Sequence, residues 1–237
     1  MRRFIIICLA VFSLLTLQNI LAAALQCPKY SSASKFTGVY LGGTAGGALY
    51  KYQLTDIDYN MYGSTQTFKQ ASPFIGIHGG YNIKISKTCI VGVKANYSVI
   101  NAVINERYDR DTWIYGSLRS AGSILGVLGS KMNDSTLLYV DSGVGFLRTH
   151  GSFIEDNDPS DSWYNLGNKN IQAWVIGLGM RFATDSGWYV DAGVDYYTPE
   201  RFTRVNQDSY RMIVRNSLVL PRLEVGYTFK QIGNWVI

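Results

Sequence analysis

The sequence predicts an all-β protein, an eight-stranded antiparallel transmembrane β-barrel with short periplasmic turns and four long outer loops. Three observations support this fold class. Several segments alternate between a bulky apolar face and a small or polar face, and the connections between them alternate in length. The chain also contains 24 glycines and 17 tyrosines but only five prolines. Closed membrane barrels need such alternation, because one face of each strand meets lipid and the other lines the lumen.

The clearest alternation lies between residues 174 and 196. One face carries bulky apolar side chains such as Trp174 and Ile176, whereas the other carries Gly177, Gly179 and Arg181. A soluble strand also alternates, but its apolar face is seldom so bulky and so aromatic at its ends. We therefore predict lipid contact for the apolar positions of this kind, which include Val91, Val93, Trp174, Ile176, Leu178, Val190 and Val194.

Strand number and alternation alone leave a soluble sandwich or a lipocalin-like barrel open, because they do not say which face is inside. The size of the residues on the polar face favours the membrane barrel. Glycine, serine and alanine predominate there, as the narrow lumen of an eight-stranded barrel requires.

Eight segments can form strands. The connections after the second, fourth and sixth segments are short, and the others are long and polar. Outer-membrane barrels have short periplasmic turns and long outer loops, and an even strand number places both termini in the periplasm. The predicted strands are residues 36–50, 72–83, 89–100, 113–128, 136–149, 171–182, 188–197 and 217–229, and the short turns are residues 84–88, 129–135 and 183–187.

The N-terminal residues have the pattern of a secretory signal peptide. Arg2 and Arg3 precede an apolar run over residues 4–17, which is short for a spanning helix, and three alanines at 22–24 offer a cleavage site. The predicted organisation is a signal peptide (1–24), a periplasmic arm (25–35), the barrel (36–229) and a C-terminal extension (230–237). The expected location is the outer membrane of a Gram-negative cell, as a monomer.

Net charge gives little information about partners. Loss of Arg2 and Arg3 lowers the formal charge from +5 to +3 (5 − 2). No dense block of lysine and arginine is present, so the sequence does not predict nucleic-acid binding.

Two segments carry a resemblance to a known family. Residues 36–43, Phe-Thr-Gly-Val-Tyr-Leu-Gly-Gly, resemble the opening strand of the eight-stranded outer-membrane surface antigens of Gram-negative bacteria, the opacity-protein and OmpA-type barrel group. Residues 222–229, Arg-Leu-Glu-Val-Gly-Tyr-Thr-Phe, are similar to the C-terminal strand by which such barrels reach the barrel assembly machinery. The resemblance implies that machinery as a partner. Because residues 230–237 follow Phe229, either Phe229 or Trp235 can belong to the recognised terminus.

Charged residues at inward positions predict ion pairs inside the lumen. Buried charges persist when they are paired and hydrogen-bonded. The four cations and four anions are therefore expected to form a structural polar plug, with a proton or ion path as the alternative. Lys94, Asp141, Arg222 and Glu224 should lie at similar depth; the full predicted set is Lys94, Arg119, Asp141, Arg181, Asp191, Asp195, Arg222 and Glu224.

The predicted outer loops differ in charge. The third is acidic, with Glu155 and Asp156, and the fourth contains Arg201, Arg204 and Arg211. Guanidinium groups pair bidentately with phosphate, so these three arginines are candidates to bind lipopolysaccharide or a host ligand, although solvated loop charge is the simpler interpretation.

An enzyme would have to use one of two histidines. His150, Ser152 and Glu155 are weakly similar to the histidine, serine and glutamate of outer-membrane lipid A deacylases. His78 is expected to hydrogen-bond inside the lumen. Two distant histidines and the two cysteines of the mature chain give no metal-ligand spacing, so no metal site and no cofactor are predicted.

Those two cysteines, Cys27 and Cys89, are predicted to form a disulfide. Both should lie on the periplasmic side, where the compartment is oxidising, and the nine residues before the first strand can reach the start of the third. A lipidated Cys27 is the alternative.

We therefore expect a non-enzymatic outer-membrane surface protein with a structural, adhesive or ligand-binding role. A narrow channel is the second hypothesis, and an envelope lipid hydrolase the third.

Overall fold

A computed structural model describes residues 34–56, 65–107, 112–155, 164–199, 202–205 and 211–229. It is built from antiparallel strands. Seven long strands alternate with connections, followed by one short strand and one long strand. Their bounds are β1 Gly38–Asp56, β2 Thr65–Lys84, β3 Cys89–Arg107, β4 Thr112–Lys131, β5 Thr136–Glu155, β6 Tyr164–Ala183, β7 Trp188–Pro199, β8 Phe202–Val205 and β9 Arg211–Phe229.

The strands close into a barrel. Each strand from β1 to β6 pairs with the next, β7 pairs with β9, and β9 pairs back with β1 from Val39↔Phe229 to Asp56↔Met212. The short β8 pairs with the part of β9 beyond β7, so β7 and β8 together form one wall strand. The predicted eight-stranded antiparallel barrel is therefore confirmed, and the pairing of β9 with β1 closes the wall.

The strands extend further at their outer ends than the sequence predicted. For example, β1 continues to Asp56 and β6 begins at Tyr164, so much of the expected outer loop is strand. At these outer ends the inward face of the wall is apolar and the outward face is polar, the reverse of the lipid-facing part. Tyr50, Tyr52 and Leu54 point inward and are buried, whereas residues 51, 53 and 55 between them are polar and point outward. The outer end therefore has apolar side chains inside and polar side chains outside, as a soluble β-protein does.

An apolar band surrounds the periplasmic half of the barrel. Aromatic side chains mark both its ends, with Trp174 and Phe182 on β6 and Trp188 and Tyr196 on β7, all exposed. The eight steps from Trp174 to Phe182 span about 26 Å at about 3.3 Å each, which a tilt of about 40° reduces to roughly 20 Å. This height is slightly below the apolar band of about 25 Å that is typical of outer-membrane barrels. Of the seven predicted lipid-facing residues, Val91 is half-buried. The other six are exposed on this band: Val93, Trp174, Ile176, Leu178, Val190 and Val194.

The lumen is filled by three layers of side chains. An apolar cluster containing Phe36 and Ile90 lies at the periplasmic end, and a larger one containing Tyr50 and Phe68 fills the outer half. Charged residues lie between them. The short segment before β1 forms the base of the lumen, where Phe36 is fully buried and its carbonyl accepts a hydrogen bond from Asn82 at 3.2 Å.

The periplasmic turns are short and hydrogen-bonded. Gly187, which ends the turn between β6 and β7, has a φ of 98°, a conformation that favours glycine. In the turn between β4 and β5, Lys131 hydrogen-bonds Asp134 at 3.0 Å and lowers the pKa of that carboxyl. Lys35 joins both turns, with Nζ 3.1 Å from Ser135 Oγ and 2.9 Å from the Asp185 carboxylate.

No helix long and apolar enough to cross a membrane occurs in the described residues. The predicted signal peptide, most of the arm at 25–35 and the extension at 230–237 lie outside them, so that division of the chain stays a prediction.

Candidate functional site

Seven of the eight charged residues predicted for the lumen are buried together in its middle layer. Lys94, Asp141, Arg181, Asp191, Asp195, Arg222 and Glu224 all have exposures of 5% or less. They come from five strands, β3, β5, β6, β7 and β9, so the layer ties together most of the barrel wall.

Arg222 is the centre of this layer. Its guanidinium forms two hydrogen bonds to Asp195, at 2.9 and 3.0 Å. It also lies 2.9 Å from Glu224 and 3.4 Å from both Asp141 and Asp191. One guanidinium therefore faces four carboxylates, and its planar set of donors suits such a position.

Tyr139 adds a hydroxyl to the same centre. Its O–H donates to the Asp191 carboxylate at 2.8 Å, and its oxygen accepts from Arg222 at 3.2 Å. The hydroxyl thus bridges the acid and the base. Tyr139 is not among the residues predicted for the lumen, although it alternates with Asp141 on the inward face of β5 and could have been found from that pattern.

Arg181 forms the periplasmic side of the layer. Its Nε donates to Asp191 at 3.0 Å, and its guanidinium lies over the rings of Tyr40 and Tyr189, 4.5 and 4.2 Å from their centroids. Stacking on aromatic faces stabilises a guanidinium that water cannot reach. These two tyrosines were also missed, because tyrosine in a barrel is equally common at the lipid interface.

Lys94 and Glu224 form a second buried ion pair in the layer. Lys94 Nζ donates to Glu224 Oε1 at 2.7 Å. The second oxygen of Glu224 lies 3.4 Å from Nε2 of His78, and that nitrogen is 2.7 Å from the Tyr189 hydroxyl. The four residues predicted at similar depth are thus joined in one path, from Lys94 through Glu224 and Arg222 to Asp141.

Strand register produces this arrangement. Arg181 is paired with Asp191 across β6 and β7, and Asp191 with Glu224 across β7 and β9. Gly177 on β6 is paired with Asp141 on β5 and with Asp195 on β7, so it lies between the two acids. A Cβ at Gly177 would collide with both carboxylates. Glycine therefore lets the two acids converge on Arg222.

The layer is densely packed. A cavity of about 10 Å³, lined by residues including Thr44, Asn96 and Arg222, has room for about one water molecule. Thr44 Oγ1 and Asn96 Oδ1, two buried atoms of this lining, have no hydrogen-bond partner among the described atoms. The described residues contain no group of three or more histidines, cysteines or acids able to hold a metal ion.

The prediction that Arg119 faces the lumen is wrong. A β-bulge between Leu118 and Ser120 inserts one residue into β4 relative to β5. Strict alternation from the inward Ser123 would turn Arg119 inward, but the bulge places Leu118 there and leaves Arg119 exposed, with a hydrogen bond of 3.4 Å to Asn101.

Several other candidates fall at the margins of the described chain. Arg201 lies outside it, and of Arg204 and Arg211 only the backbone is described. The side chains of Ser152 and Glu155 are likewise undescribed; His150 lies against Tyr115, with ring centroids 6.0 Å apart.

The predicted disulfide has one described partner. Cys89 is half-buried at the periplasmic start of β3, where the prediction placed it. Cys27 lies outside the described residues, so this pairing stays a prediction.

Comparison of the sequence with known protein families agrees with this structure, a closed eight-stranded barrel with an apolar outer band and a charged, filled lumen. The model of the outer membrane protein β-barrel domain matches residues 7–229. The chain belongs to this family. Its location is therefore the Gram-negative outer membrane. No curated protein sequence matches the chain.

Solved structures are similar to the chain at low sequence identity. The outer membrane protein OprG from Pseudomonas aeruginosa has 11% identity and a TM-score of 0.53, over 81% of this chain and 97% of that one. Neisserial surface protein A has 14% identity and a TM-score of 0.44, over 84% and 100%. Ail, the attachment invasion locus protein of Yersinia pestis, has 13% identity and a TM-score of 0.38, over 78% and 99%.

Proposed function

We propose that this barrel is a non-enzymatic surface protein that stabilises the envelope and presents its outer connections to ligands. The observation that carries the proposal is the filled lumen. Apolar clusters close it at both ends, with Phe36 at the base and Tyr50 and Phe68 in the outer half. An eight-stranded barrel is just wide enough for side chains to fill, so contacts with other molecules are left to the outer surface.

The two histidines support a non-enzymatic role. His78 is buried between Tyr189 and Glu224, where a substrate would have to displace the charged layer to reach it. His150 lies beside Tyr115 on the outer surface. If the chain is nonetheless a lipid hydrolase of the His150 and Ser152 kind, cells that overproduce it will contain deacylated lipid A, and the H150A variant will not produce it.

A narrow channel is the second candidate, because the charged layer could rearrange into an ion path. The apolar layers on both sides oppose this, since ions do not cross a packed apolar plug. Single-protein conductance in planar bilayers tests the proposal. We expect no steps above the baseline, both for the wild type and for the conservative Y139F variant. Reproducible conductance steps that change with Y139F would show that the lumen conducts and would contradict the proposal.

The ligand-binding part of the proposal concerns the fourth outer connection. Arg201, Arg204 and Arg211 concentrate positive charge there, and guanidinium groups recognise sulfates, phosphates and carboxylates. Adhesion of intact cells to sulfated glycans and to host-cell surfaces should fall when all three become alanine. The K87A variant, which alters an exposed periplasmic turn, is the control. Equal adhesion of both variants would remove these arginines as ligand contacts.

A further inference from the structure

The outward face of β9, β1 and β2 changes from apolar to basic within one row of paired residues. Leu49 pairs with Ala71 on β2 and with Val219 on β9, which completes the apolar band at this position. In the next row outward, Lys51 pairs with Lys69. Arg215 follows one row further on β9, diagonally adjacent to Lys51. Three cations on three neighbouring strands therefore lie at the outer edge of the lipid-facing surface.

Among the described side chains, these cations lack the pairing that their neighbours have. The two rows beyond Lys51 and Lys69 are joined across the strands by hydrogen bonds, Gln53 to Thr67 at 3.0 Å and Thr55 to Thr65 at 2.9 Å. In contrast, two lysines directly opposite each other repel, and this repulsion destabilises the pairing of their strands. Outward positions among the described side chains of β1, β2 and β9 include no carboxylate that could relieve this repulsion.

Arg215 gives an independent sign of a missing partner. Its Nε is buried and has no hydrogen-bond acceptor among the described atoms. A buried guanidinium nitrogen without an acceptor is costly, so an anion that reaches it from outside would be favourable. This nitrogen and the two ammonium groups could donate to the same anion.

The periplasmic side of the barrel differs. Lys131 there is paired with Asp134, and Lys35 with Asp185, at 3.0 and 2.9 Å. The three outer cations therefore do not reflect a general excess of lysine at membrane edges.

We propose that Lys51, Lys69 and Arg215 bind a phosphate group of lipopolysaccharide in the outer leaflet. The apolar residues below them, such as Leu49 and Val219, contact its acyl chains, and the lysine stems extend along the wall to place their ammonium groups at headgroup level. The arginine supplies a planar fork for the phosphate oxygens. This site depends on the outer-membrane location and not on the ligand proposed for the outer connections.

Native mass spectrometry of the full-length protein in detergent micelles tests the site. The probes are bisphosphorylated lipid A, the same lipid with its phosphates removed, and phosphatidylglycerol. We expect the K51Q/K69Q/R215Q variant to bind bisphosphorylated lipid A about tenfold or more weakly than the wild type, because charge-assisted hydrogen bonds to the phosphate are lost. The charge-matched control K84Q/K87Q/K131Q, on the periplasmic side, should bind as the wild type does.

Three results would overturn the proposal: equal binding by the outer triple variant, equal binding of the dephosphorylated lipid, or equal binding of phosphatidylglycerol. Displacement of lipid A by millimolar inorganic phosphate would assign the site to free phosphate and would also overturn it. Heat-modifiable migration in gels checks that each variant is folded. If the triple variant does not fold, K69Q alone replaces it, because Lys69 is exposed and its loss should leave the barrel intact. Whether this lipid site is confirmed or rejected does not change the conductance and adhesion results, so the proposed function is tested separately.

Discussion

Lys94 and Glu224 are 130 positions apart in the chain, yet Nζ of the lysine lies 2.7 Å from Oε1 of the glutamate inside the barrel. Their strands, β3 and β9, are not neighbours in the wall. The ion pair therefore connects two strands across the lumen, which backbone pairing does not do. Both side chains are 1% exposed, so water contributes little to their solvation.

The first prediction concerns this pair. K94M leaves Glu224 buried with one cation fewer, and we expect it to reduce the free energy of unfolding by about 3 kcal/mol. The K94M/E224Q double variant should lose less than K94M alone, because no unpaired carboxylate is left at that position. Urea unfolding of the refolded barrel in micelles measures both. Additive losses from K94M and E224Q would contradict a coupled pair.

The second prediction tests the lipid-facing surface. Leu178 lies midway along the apolar face of β6 and is 50% exposed. L178R should cost about 2 to 4 kcal/mol in a bilayer, because a charge at mid-membrane depth has no partner. Q172R lies on the same face of the same strand, outside Trp174, and should cost less than about 1 kcal/mol. Similar costs for the two variants in lipid vesicles would place the membrane elsewhere on the barrel.

The third prediction concerns the glycine between two acids. In G177A the new methyl group would displace Asp141 and Asp195 from Arg222, and we expect a loss of about 1 to 3 kcal/mol from overpacking. G43A is the matched control, since a Cβ there meets its nearest atom, the Gly76 carbonyl oxygen, only at 4.0 Å. Thermal unfolding of both variants decides this, and equal melting temperatures would argue against a closely packed charge layer.

The fourth prediction concerns the Tyr139 hydroxyl. Y139F removes the only hydroxyl that the structure describes between Asp191 and Arg222, and the two buried charges lose a shared hydrogen bond. We expect a loss of about 1 to 3 kcal/mol in unfolding free energy. Y196F is the control, because Tyr196 lies on the outward face and is 42% exposed. If Y139F is as stable as Y196F, the hydroxyl has no structural role.

The fifth prediction is the disulfide between Cys27 and Cys89. Mass spectrometry of the unreduced mature protein should find the two residues in one cross-linked peptide, and C89S should release a free Cys27 thiol. The bond would contribute about 2 to 4 kcal/mol by restricting the unfolded chain. Two alkylatable thiols, or a diacylglycerol on Cys27, would show that it does not form.

The barrel itself was predictable because membrane strands follow one strict rule of alternation. Where the wall leaves the lipid, that rule reverses. At the outer end of β2, Thr67 and Lys69 point outward and Phe68 points inward. Nearer the periplasm, the outward residues of the same strand are Ile75 and Ile77. The predicted second strand begins only at residue 72, because polar residues at alternate positions are also typical of a loop. The sequence contains both patterns, but the position of the membrane boundary decides which one applies.

The charged layer was predictable in composition but not in detail. Inward alternation identified Lys94, Asp141 and Glu224, because no bulge interrupts the relevant part of their strands. The same reasoning failed for Arg119, since a bulge shifts the alternation by one residue and leaves no clear mark in the sequence. Which acid pairs with which base depends on strand register, and register was not available from the sequence.

The outward extension of the strands beyond Trp174 has a consequence for how a partner meets the protein. From Trp174 to the start of β6 at Tyr164 there are ten further residues, roughly 25 Å along the membrane normal after tilt. The outer ends of β5 and β6 are thus held well above the apolar band. A large soluble partner can therefore reach them without contacting the bilayer, and an epitope tag inserted between β5 and β6 should be accessible to antibody on intact cells.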